Sequence, residues 1–228
     1  MEVKPTNTPG IYRVVEKPGV HHFATENLVP RQSVYGEKLL TYGGKEYRIW
    51  DPNRSKLAAA LKKGLDRVPI EVCSRVLYLG AASGTTASHI SDICREGRVY
   101  CVEFSPRVAR NLVSLCETRV NMVPLIFDAS NPVDYAPLVE RVDTIYQDVA
   151  QPNQTEILLR NAELYLEKGG HVLYFVKSRS IDVTRQPEKV FREEKRRIEG
   201  VLDVLDVIRL DPYEKDHILI LARKGGKS

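Results

Sequence analysis

Residues 76–93, VLYLGAASGTTASHISDI, decide the fold of this chain. An apolar run ends at Gly80, and a turn with a second glycine, Gly84, leads through hydroxyl residues into a helical segment. Such a turn lets a ligand approach the backbone and the N-terminus of a helix. Alone it is weak evidence for a cofactor, because Gly-Ser turns connect many strands to helices. The third glycine of GxGxxG and the GK[ST] of a P-loop are missing, which favours a nucleoside-like ligand without phosphates.

The segments that follow repeat this alternation of strand and helix. Strands with apolar residues at nearly every position, each followed by a helix, indicate a parallel sheet covered on both faces, a doubly wound α/β domain. The strands are RVLYLG, RVYCVEF, MVPLIFD, VDTIYQDV and HVLYFVK, and the helices include TTASHISDICR, TEILLRNAELYLEK and PEKVFREEKRRIEG. The polar DPYEKD joins a last pair of strands and predicts a β-hairpin, so at least one strand is expected to be antiparallel.

Residues 10–50 have a different pattern, with short strands separated by turns. Gly43-Gly44 lies between two of these strands, and such a pair is typical of hairpins because both positions tolerate positive φ. After Pro52, the segment RSKLAAALKKGL carries leucines at helical spacing and predicts an amphipathic helix. We therefore expect a small N-terminal β domain, residues 1–54, and a main domain, residues 55–228.

The composition indicates a globular protein. The 228 residues are 43% apolar and 28% charged, without a membrane-spanning run or a signal-peptide core, so we expect a cytoplasmic protein with no membrane partner. A net charge of +4 permits a polyanionic partner without requiring one. No metal site is expected. The cysteines form no CxxC pair and are interpreted as core residues rather than disulfides or metal ligands; they are Cys73, Cys94, Cys101 and Cys116.

Carboxylates follow the next two strands, where an open α/β sheet binds its ligand. Glu103 lies 23 residues after Gly80, a spacing at which a carboxylate accepts hydrogen bonds from both ribose hydroxyls. Asp128 ends the following strand and is suited to accept from an adenine amino group. The alternative for Glu103 is a surface residue before a helix. A glycine turn and two carboxylates at three strand ends fit adenosine with a substituent that lacks phosphate, which is S-adenosylmethionine (AdoMet).

The next two strands end in Asp148 and Lys177. A lysine directly after five apolar or aromatic residues is costly to place without a partner or a role, because burial disfavours its charged form. The two residues could form an ion pair that braces the sheet edge. Their position beside the expected methyl donor favours a catalytic role for both residues instead.

Six segments together closely resemble the fibrillarin family. They are YRIWDPNRSKLAAA, VLYLGAASGTTASHISDI, VYCVEFSPR, DVAQP, VKSRSIDVT and LDPYEKDH, and the resemblance runs from about residue 10 to residue 224. The glycine- and arginine-rich extension of eukaryotic members is absent, so the archaeal form is expected. The resemblance implies a class I AdoMet-dependent methyltransferase fold, Rossmann-like, with a mostly parallel seven-stranded sheet that has an antiparallel strand, plus the small N-terminal β domain.

The resemblance also implies a function and a set of site residues. The activity is that of an RNA 2′-O-ribose methyltransferase of the box C/D guide RNA particle, acting on rRNA and tRNA. The AdoMet contacts carried over by motif are Thr85, Thr86, Glu103, Phe104, Asp128, Ala129, Asp148, Val149, Ala150 and Gln151. The turn residues expected to complete the cofactor site are Gly80, Ala81, Ser83 and Gly84. The catalytic set falls on Lys56, Asp148, Lys177 and His217.

The implied partners are a Nop-family scaffold protein, a kink-turn-binding L7-type ribosomal protein, a box C/D guide RNA and the substrate rRNA or tRNA. From the residues alone, Lys56 on its amphipathic helix is expected to be solvated, and His217 competes with four other histidines. Two other functions stay open on the same grounds. The fold and donor could serve a protein or small-molecule acceptor, or the chain could be a noncatalytic subunit of an RNA particle.

Overall fold

A computed structural model describes residues 1–225 of the chain. The N-terminal part is an antiparallel sheet of five strands in the order β1-β2-β3-β5-β4. Its strands are β1 (Glu2–Pro5), β2 (Ile11–Lys17), β3 (Val20–Glu26), β4 (Leu39–Tyr42) and β5 (Lys45–Trp50). Gly43 and Gly44 both have positive φ and connect β4 to β5, which confirms the predicted hairpin. Strand β1 precedes the predicted strands and pairs with β2.

The larger sheet has seven strands in the order β11-β12-β10-β9-β6-β7-β8. They are β6 (Arg75–Leu79), β7 (Arg98–Val102), β8 (Met122–Leu125), β9 (Val142–Gln147), β10 (Leu166–Lys177), β11 (Asp203–Arg209) and β12 (His217–Arg223). Strands β8, β7, β6, β9 and β10 run parallel, and β12 is antiparallel to both of its neighbours. The expected class I methyltransferase sheet, with one antiparallel strand, is confirmed.

Helices cover both faces of this sheet. The α-helices are α1 (Lys56–Lys62), α2 (Thr85–Ile93), α3 (Pro106–Thr118), α4 (Gln154–Tyr165), α5 (Ser178–Ile181) and α6 (Pro187–Glu199), and a 3-10 helix spans Pro132–Leu138. One apolar cluster contains Leu57, Ile90 and Leu112 from α1, α2 and α3 together with Phe23 and Trp50 of the N-terminal sheet. A second cluster, on the other face, contains residues of α4, α6 and the 3-10 helix. The sheet is therefore doubly wound, as predicted.

Two predicted boundaries are wrong. The helix expected over residues 155–168 ends at Tyr165, because Leu166 is fully buried and already pairs with Val142 of β9. Strand β8 ends at Leu125, so Asp128 lies in the turn after it rather than at its last position. The division of the chain into domains at residues 54 and 55 stays a prediction.

No described helix has the length and apolar content needed to cross a membrane. Within residues 1–225 there is no group of three or more His, Cys, Asp or Glu side chains suited to hold a metal ion. All four cysteines are free thiols; Cys94 and Cys101 are buried in the core, whereas Cys73 is exposed.

Candidate active site at the carboxyl ends of the strands

The turn after β6 requires glycine for two physical reasons. Gly80 has a φ of +81°, and a Cβ at this position would lie 2.5 Å from the carbonyl oxygen of Asp148. The backbone amides of Gly80 and Ala81 both donate to the carbonyl oxygen of Val102, at 2.9 and 3.0 Å. The turn is thereby fastened to the ends of β7 and β9. Ser83 is half-buried in the same turn, so the expected turn residues do line the strand ends.

Helix α2 begins directly after this turn without a side-chain cap. Its N-cap is Gly84, with a φ of +89°, where a Cβ would come within 2.5 Å of Leu115. The first backbone amides of a helix, here from Thr85 and Thr86 onward, have no partner inside the helix. Glycine offers no oxygen to accept from them. The positive end of α2 is therefore available to an anionic group such as a carboxylate.

Two carboxylates extend the site along the sheet edge. Glu103 follows β7 and accepts hydrogen bonds from the backbone amides of Ala82 at 2.9 Å and Ser105 at 2.8 Å, one on each oxygen. Because a carboxylate has about four acceptor positions, both oxygens can accept a further bond from a ribose. Phe104, the next residue, leaves 66% of its surface exposed, which is unusual for a phenylalanine.

The other carboxylate lies one strand further out. Asp128 accepts from the backbone amide of Ser130 through Oδ1 at 2.8 Å, and no donor of residues 1–225 bonds its Oδ2. Its neighbour Ala129 is buried. Asp128 can therefore accept from an exocyclic amino group through Oδ2 while Oδ1 is held by the turn.

The central feature of the site is an ion pair between Lys56 and Asp148, whose Nζ and Oδ2 lie 2.8 Å apart. The two residues are 92 positions apart in the chain, and their side chains are 19% and 24% exposed. Lys56 is the first residue of α1, and Thr86 of α2 donates to the N-cap residue Ser55 at 2.9 Å. Asp148 therefore pairs with Lys56, and the alternative ion pair with Lys177 is wrong.

Lys177 and His217 lie opposite each other on neighbouring strands. They are register partners in the antiparallel pair β10–β12. The backbone amide of Lys177 donates to Gln154 Oε1 at 3.2 Å, and Gln154 Nε2 donates to the carbonyl of Gln151 at 3.0 Å. Lys177 is half-buried, and no carboxylate among the described residues lies within ion-pair distance of its ammonium group. Its three N–H donors are therefore not committed to an acidic partner.

His217 is almost fully buried, with 6% of its surface exposed. Its Nδ1 donates to the carbonyl oxygen of Lys215 at 2.7 Å, so Nε2 carries the lone pair when the ring is neutral. Burial is the main cause that lowers the pKa of His217, the positive charge of Lys56 lowers it further, and the Lys215 hydrogen bond opposes both. His217 is accordingly a neutral imidazole near pH 7 with an unprotonated Nε2, and its ring lies close enough to Lys56 and Asp148 to feel both charges.

The structure brings the whole predicted set to one edge of the sheet. Gly80, Glu103, Asp128 and Asp148 follow the parallel strands β6, β7, β8 and β9, respectively. After Asp148 the loop continues through buried Val149, exposed Ala150 and half-buried Gln151. Lys56 reaches this edge from α1, and Lys177 and His217 occupy the facing ends of β10 and β12.

Sequence reasoning missed two buried tyrosines beneath the ion pair. Tyr78 and Tyr146 lie two residues before Gly80 and Asp148, and their rings are 4.2 Å apart. Burial raises the pKa of both tyrosines, and the nearby Asp148 carboxylate raises it further. The Tyr146 hydroxyl is buried without a hydrogen-bond partner among the described residues. For Tyr78, the available signal was a tyrosine within the apolar run Val76–Leu79.

The arrangement fits a nucleoside attached to an amino acid. Glu103 and Asp128 offer acceptors for ribose hydroxyls and an amino group, and the uncapped end of α2 offers donors for a carboxylate. Asp148 lies next to this space because its carbonyl oxygen abuts Gly80. Its carboxylate can attract a positively charged centre such as a sulfonium. The residues present therefore fit AdoMet.

Comparison with known proteins gives concordant findings. The family described as fibrillarin matches residues 3–225. The chain is 53% identical over 225 residues to the fibrillarin-like rRNA/tRNA 2′-O-methyltransferase of Pyrococcus horikoshii, covering 98% of this chain and 99% of that protein. The structure of Aeropyrum pernix fibrillarin with natively bound S-adenosyl-L-methionine superimposes with a TM-score of 0.90 at 48% identity, covering 97% and 98% of the two chains. A fibrillarin/Nop5p complex structure gives 0.87 at 44% identity and covers 96% and 100%.

Proposed function

The chain belongs to the fibrillarin family, and we propose that it transfers the methyl group of AdoMet to ribose 2′-hydroxyls of rRNA and tRNA at sites selected by box C/D guide RNAs. The observation that carries this proposal is the Lys56–Asp148 ion pair, set beside Lys177 and His217 at the edge of the sheet where the AdoMet-like cradle lies. The P. horikoshii relative, which is named for rRNA and tRNA methylation, supports the substrate class.

The proposed cofactor contacts divide AdoMet into three parts. Glu103 binds the ribose, Asp128 with Ala129 binds the adenine amino group, and Phe104 covers the base. The amino-acid part lies against the turn of Gly80, Ala81, Ser83 and Gly84 and the first amides of α2, at Thr85 and Thr86. The remaining contacts come from the loop after β9, which consists of Asp148, Val149, Ala150 and Gln151. The A. pernix fibrillarin with natively bound AdoMet supports this assignment.

AdoMet, when bound, supplies a methyl group that its sulfonium charge already activates. The protein must then align the poor nucleophile, the 2′-hydroxyl, in line with the bond that breaks. Lys177 donates to the 2′-oxygen and stabilises its developing negative charge, because its ammonium group is not committed to a carboxylate among residues 1–225. As the O–CH₃ bond forms, the S–CH₃ electron pair returns to sulfur, and the hydroxyl proton leaves to Nε2 of the neutral His217, whose lone pair is free.

Asp148 and Lys56 position the reactants. Their ion pair is mostly buried, so the electrostatic interaction is stronger than it would be in bulk water. Asp148 lies beside both Gly80 of the cofactor turn and Lys56, where donor and acceptor meet. Lys56 is positioned to contact the ribose or the adjacent phosphate.

The proposal includes partners that select the RNA. The net charge of +4 over 228 residues gives little affinity through counterion release, and the sequence has no recognisable RNA-reading module. A Nop-family scaffold protein is supported by the fibrillarin/Nop5p complex. A kink-turn-binding L7-type protein and a box C/D guide RNA complete the proposed particle, in which guide–target pairing brings one ribose to the site.

Transfer of labelled methyl from AdoMet to a target RNA, followed by nuclease digestion to locate the label, tests the proposal. The reaction is run with this chain alone and with the scaffold, the kink-turn protein and a matched or mismatched guide. We expect label on one ribose 2′-oxygen only with the matched guide. Absence of transfer in the full assembly would indicate a noncatalytic subunit, and label on protein would indicate a different acceptor. If the isolated chain modified one site whatever the guide sequence, this polypeptide itself would select the target ribose.

A further inference from the structure

The structure contains a groove of about 600 Å³ that none of the proposed catalytic residues lines. Its walls come from the N-terminal sheet, the segment between β5 and α1, the end of α1 and the loop between β11 and β12. Two of these segments continue directly into the site. Arg54 is two residues before Lys56, and Tyr213 is four residues before His217. Both segments therefore run from the groove toward residues of the proposed catalytic cluster.

The groove carries positive charge that the protein leaves uncompensated. The cations on its walls are Lys38, Arg54 and Lys62. Lys38 pairs with Glu16 at 3.3 Å, but no carboxylate of residues 1–225 lies within ion-pair distance of Arg54 or Lys62. Arg54 is exposed, and its guanidinium lies over the ring of Tyr35 at 5.7 Å. These two cations are therefore available to an anion from outside.

The two carboxylates on the walls do not supply that anion. Glu37 is buried and pairs with Arg48, with Nε and Oε1 at 2.6 Å. Asp51 accepts from the backbone and side chain of Asn53 at 2.8 and 3.0 Å. Glu37 is thus neutralised by Arg48, whereas Asp51 keeps its negative charge. With Arg54 and Lys62 both unpaired in the described part of the chain, the walls still carry more positive than negative charge.

Lys62 is held in an unfavourable position for an isolated ammonium group. It donates to the carbonyl oxygen of His21 and lies over the ring of Phe23 at 5.7 Å, with Arg13 over the same ring at 5.9 Å. Burial, and secondly the charge of Arg13, lowers the pKa of Lys62. An anion bound in the groove would offset this desolvation and like-charge repulsion.

We propose that this groove binds the phosphate backbone of the RNA strand that carries the target ribose, on one side of that ribose, through Arg54 and Lys62. The proposal rests on the proposed function, since it is the adjacent ribose-methylating site that makes RNA the anion. Helix α1 separates Lys56 from Lys62 by six residues, or about 9 Å of axial rise. At about 3.4 Å per nucleotide, the contacted phosphates lie within about three nucleotides of the methylated ribose.

The test compares two double variants of the full chain that remove equal charge. Arg54→Gln with Lys62→Gln removes the groove cations, and Arg110→Gln with Lys63→Gln removes two exposed cations that do not line it. Binding of a fluorescent 12-nucleotide RNA is followed by anisotropy over a series of KCl concentrations. We expect roughly tenfold weaker binding by the groove variant at low salt, with a salt slope smaller by about 1.4 for two lost phosphate contacts. The control variant should keep the wild-type slope.

The same preparations are titrated with AdoMet and assayed in the assembled particle. Unchanged AdoMet affinity in the groove variant shows that it is folded, and we expect its KM for target RNA to rise at least fivefold. The groove proposal alone would be overturned by one result. In it, the wild type binds AdoMet and methylates RNA, and the groove and control variants have the same salt slope for RNA binding and the same KM. Loss of AdoMet binding and methyl transfer in the wild type would instead reject the proposed function, and with it the groove.

Discussion

Asp92 and Asp148 are both carboxylates beside cations, but the protein uses them differently. Asp92, on α2, is fully buried and accepts four hydrogen bonds. The donors are Arg48 Nη1 at 2.8 Å, Arg119 Nη1 at 2.7 Å, Thr25 Oγ1 at 2.7 Å and the backbone amide of Leu28 at 2.9 Å. Asp148 accepts one side-chain bond, from Lys56, and keeps 24% of its side chain exposed. One carboxylate is saturated by the protein, and the other has free acceptor capacity.

The cations show the same contrast. Arg48 is fully buried between the N-terminal sheet and α2, and it donates to Glu37, Asp92 and Ser88. Lys177 is half-buried and has no acidic partner within the described part of the chain. Saturation marks the first region as structural, since nothing is left for a ligand. The donors and acceptors left free around Asp148 and Lys177 mark that region as a place where a ligand can bind.

The largest expected effect comes from breaking the saturated region. Arg48→Met should lower the free energy of unfolding by about 3–5 kcal/mol, because it leaves Glu37 and Asp92 buried without a cation that both use. Denaturant unfolding measures the change. Arg13→Met, at an exposed arginine of β2, is the matched control and should cost less than about 1 kcal/mol. If the two variants were equally stable, the buried network would not be what joins the N-terminal sheet to α2.

The next effect tests the unsaturated region. Lys177→Ala should lower single-turnover methyl transfer in the assembled particle about 10²- to 10³-fold, because the donor to the 2′-oxygen is lost. AdoMet affinity and unfolding free energy should change little. Lys168→Ala, an exposed lysine at the other end of the same strand, should keep the wild-type rate. A near-normal rate in Lys177→Ala would show that the free ammonium group has no part in the reaction.

The fold was predictable where the signal was local. Parallel strands buried on both faces are largely apolar, so β6, β7 and the second half of β10 could be found from short windows of sequence. The end of α4 could not, because Leu166 suits either a helix or a strand, and its pairing with Val142 across the sheet decides between them. Strand β1 is exposed and only four residues long, which leaves no apolar pattern to detect.

The site was predictable in part for a topological reason. Parallel strands place all their carboxyl ends at one edge, so Glu103, Asp128 and Asp148 could be brought together from the strand order alone. Lys56 could not, because a lysine on an amphipathic helix is usually solvated, and its partner Asp148 is 92 residues away. The Arg48–Asp92 contact was missed because strand alternation predicts which face a residue occupies and not its partner. The roles of these residues stay a prediction.

A smaller effect is expected at Glu103, a carboxylate of which the protein occupies only some acceptor positions. Glu103 already accepts two backbone amides, so the comparison with Asp92 predicts intermediate behaviour. Glu103→Ala should weaken AdoMet binding by about 1.5–3 kcal/mol, since charge-assisted bonds to the ribose are lost. Isothermal calorimetry measures this, with Glu117→Ala on the exposed face of α3 as the control. Equal affinities in the two variants would exclude Glu103 as a ribose ligand.

The smallest expected effect concerns His89, which belongs to the saturated region. Both ring nitrogens are engaged, Nδ1 with Thr25 Oγ1 and Nε2 with the Tyr35 hydroxyl, each at 2.8 Å. The ring stacks on Trp50 with centroids 4.6 Å apart. Burial, followed by the charges of Arg48 and Arg119, lowers the pKa of His89 well below its ordinary value.

This depressed pKa should make stability depend on pH. Because the folded pKa lies below the unfolded value, the unfolded chain binds the proton first, and stability falls as the pH drops below about 6.5. His89 should account for about 1.4 kcal/mol of the loss between pH 7.5 and 5.5. His89→Gln cannot take up that proton, so the stability gap between wild type and variant should shrink by this amount on acidification. The pKa values of His21, His171 and His217 are also lowered, but these residues act equally in both proteins and cancel. If the difference in unfolding free energy between wild type and variant did not change with pH, the buried network would tolerate a charged imidazole. That result would contradict the view that the network leaves no room for another charge.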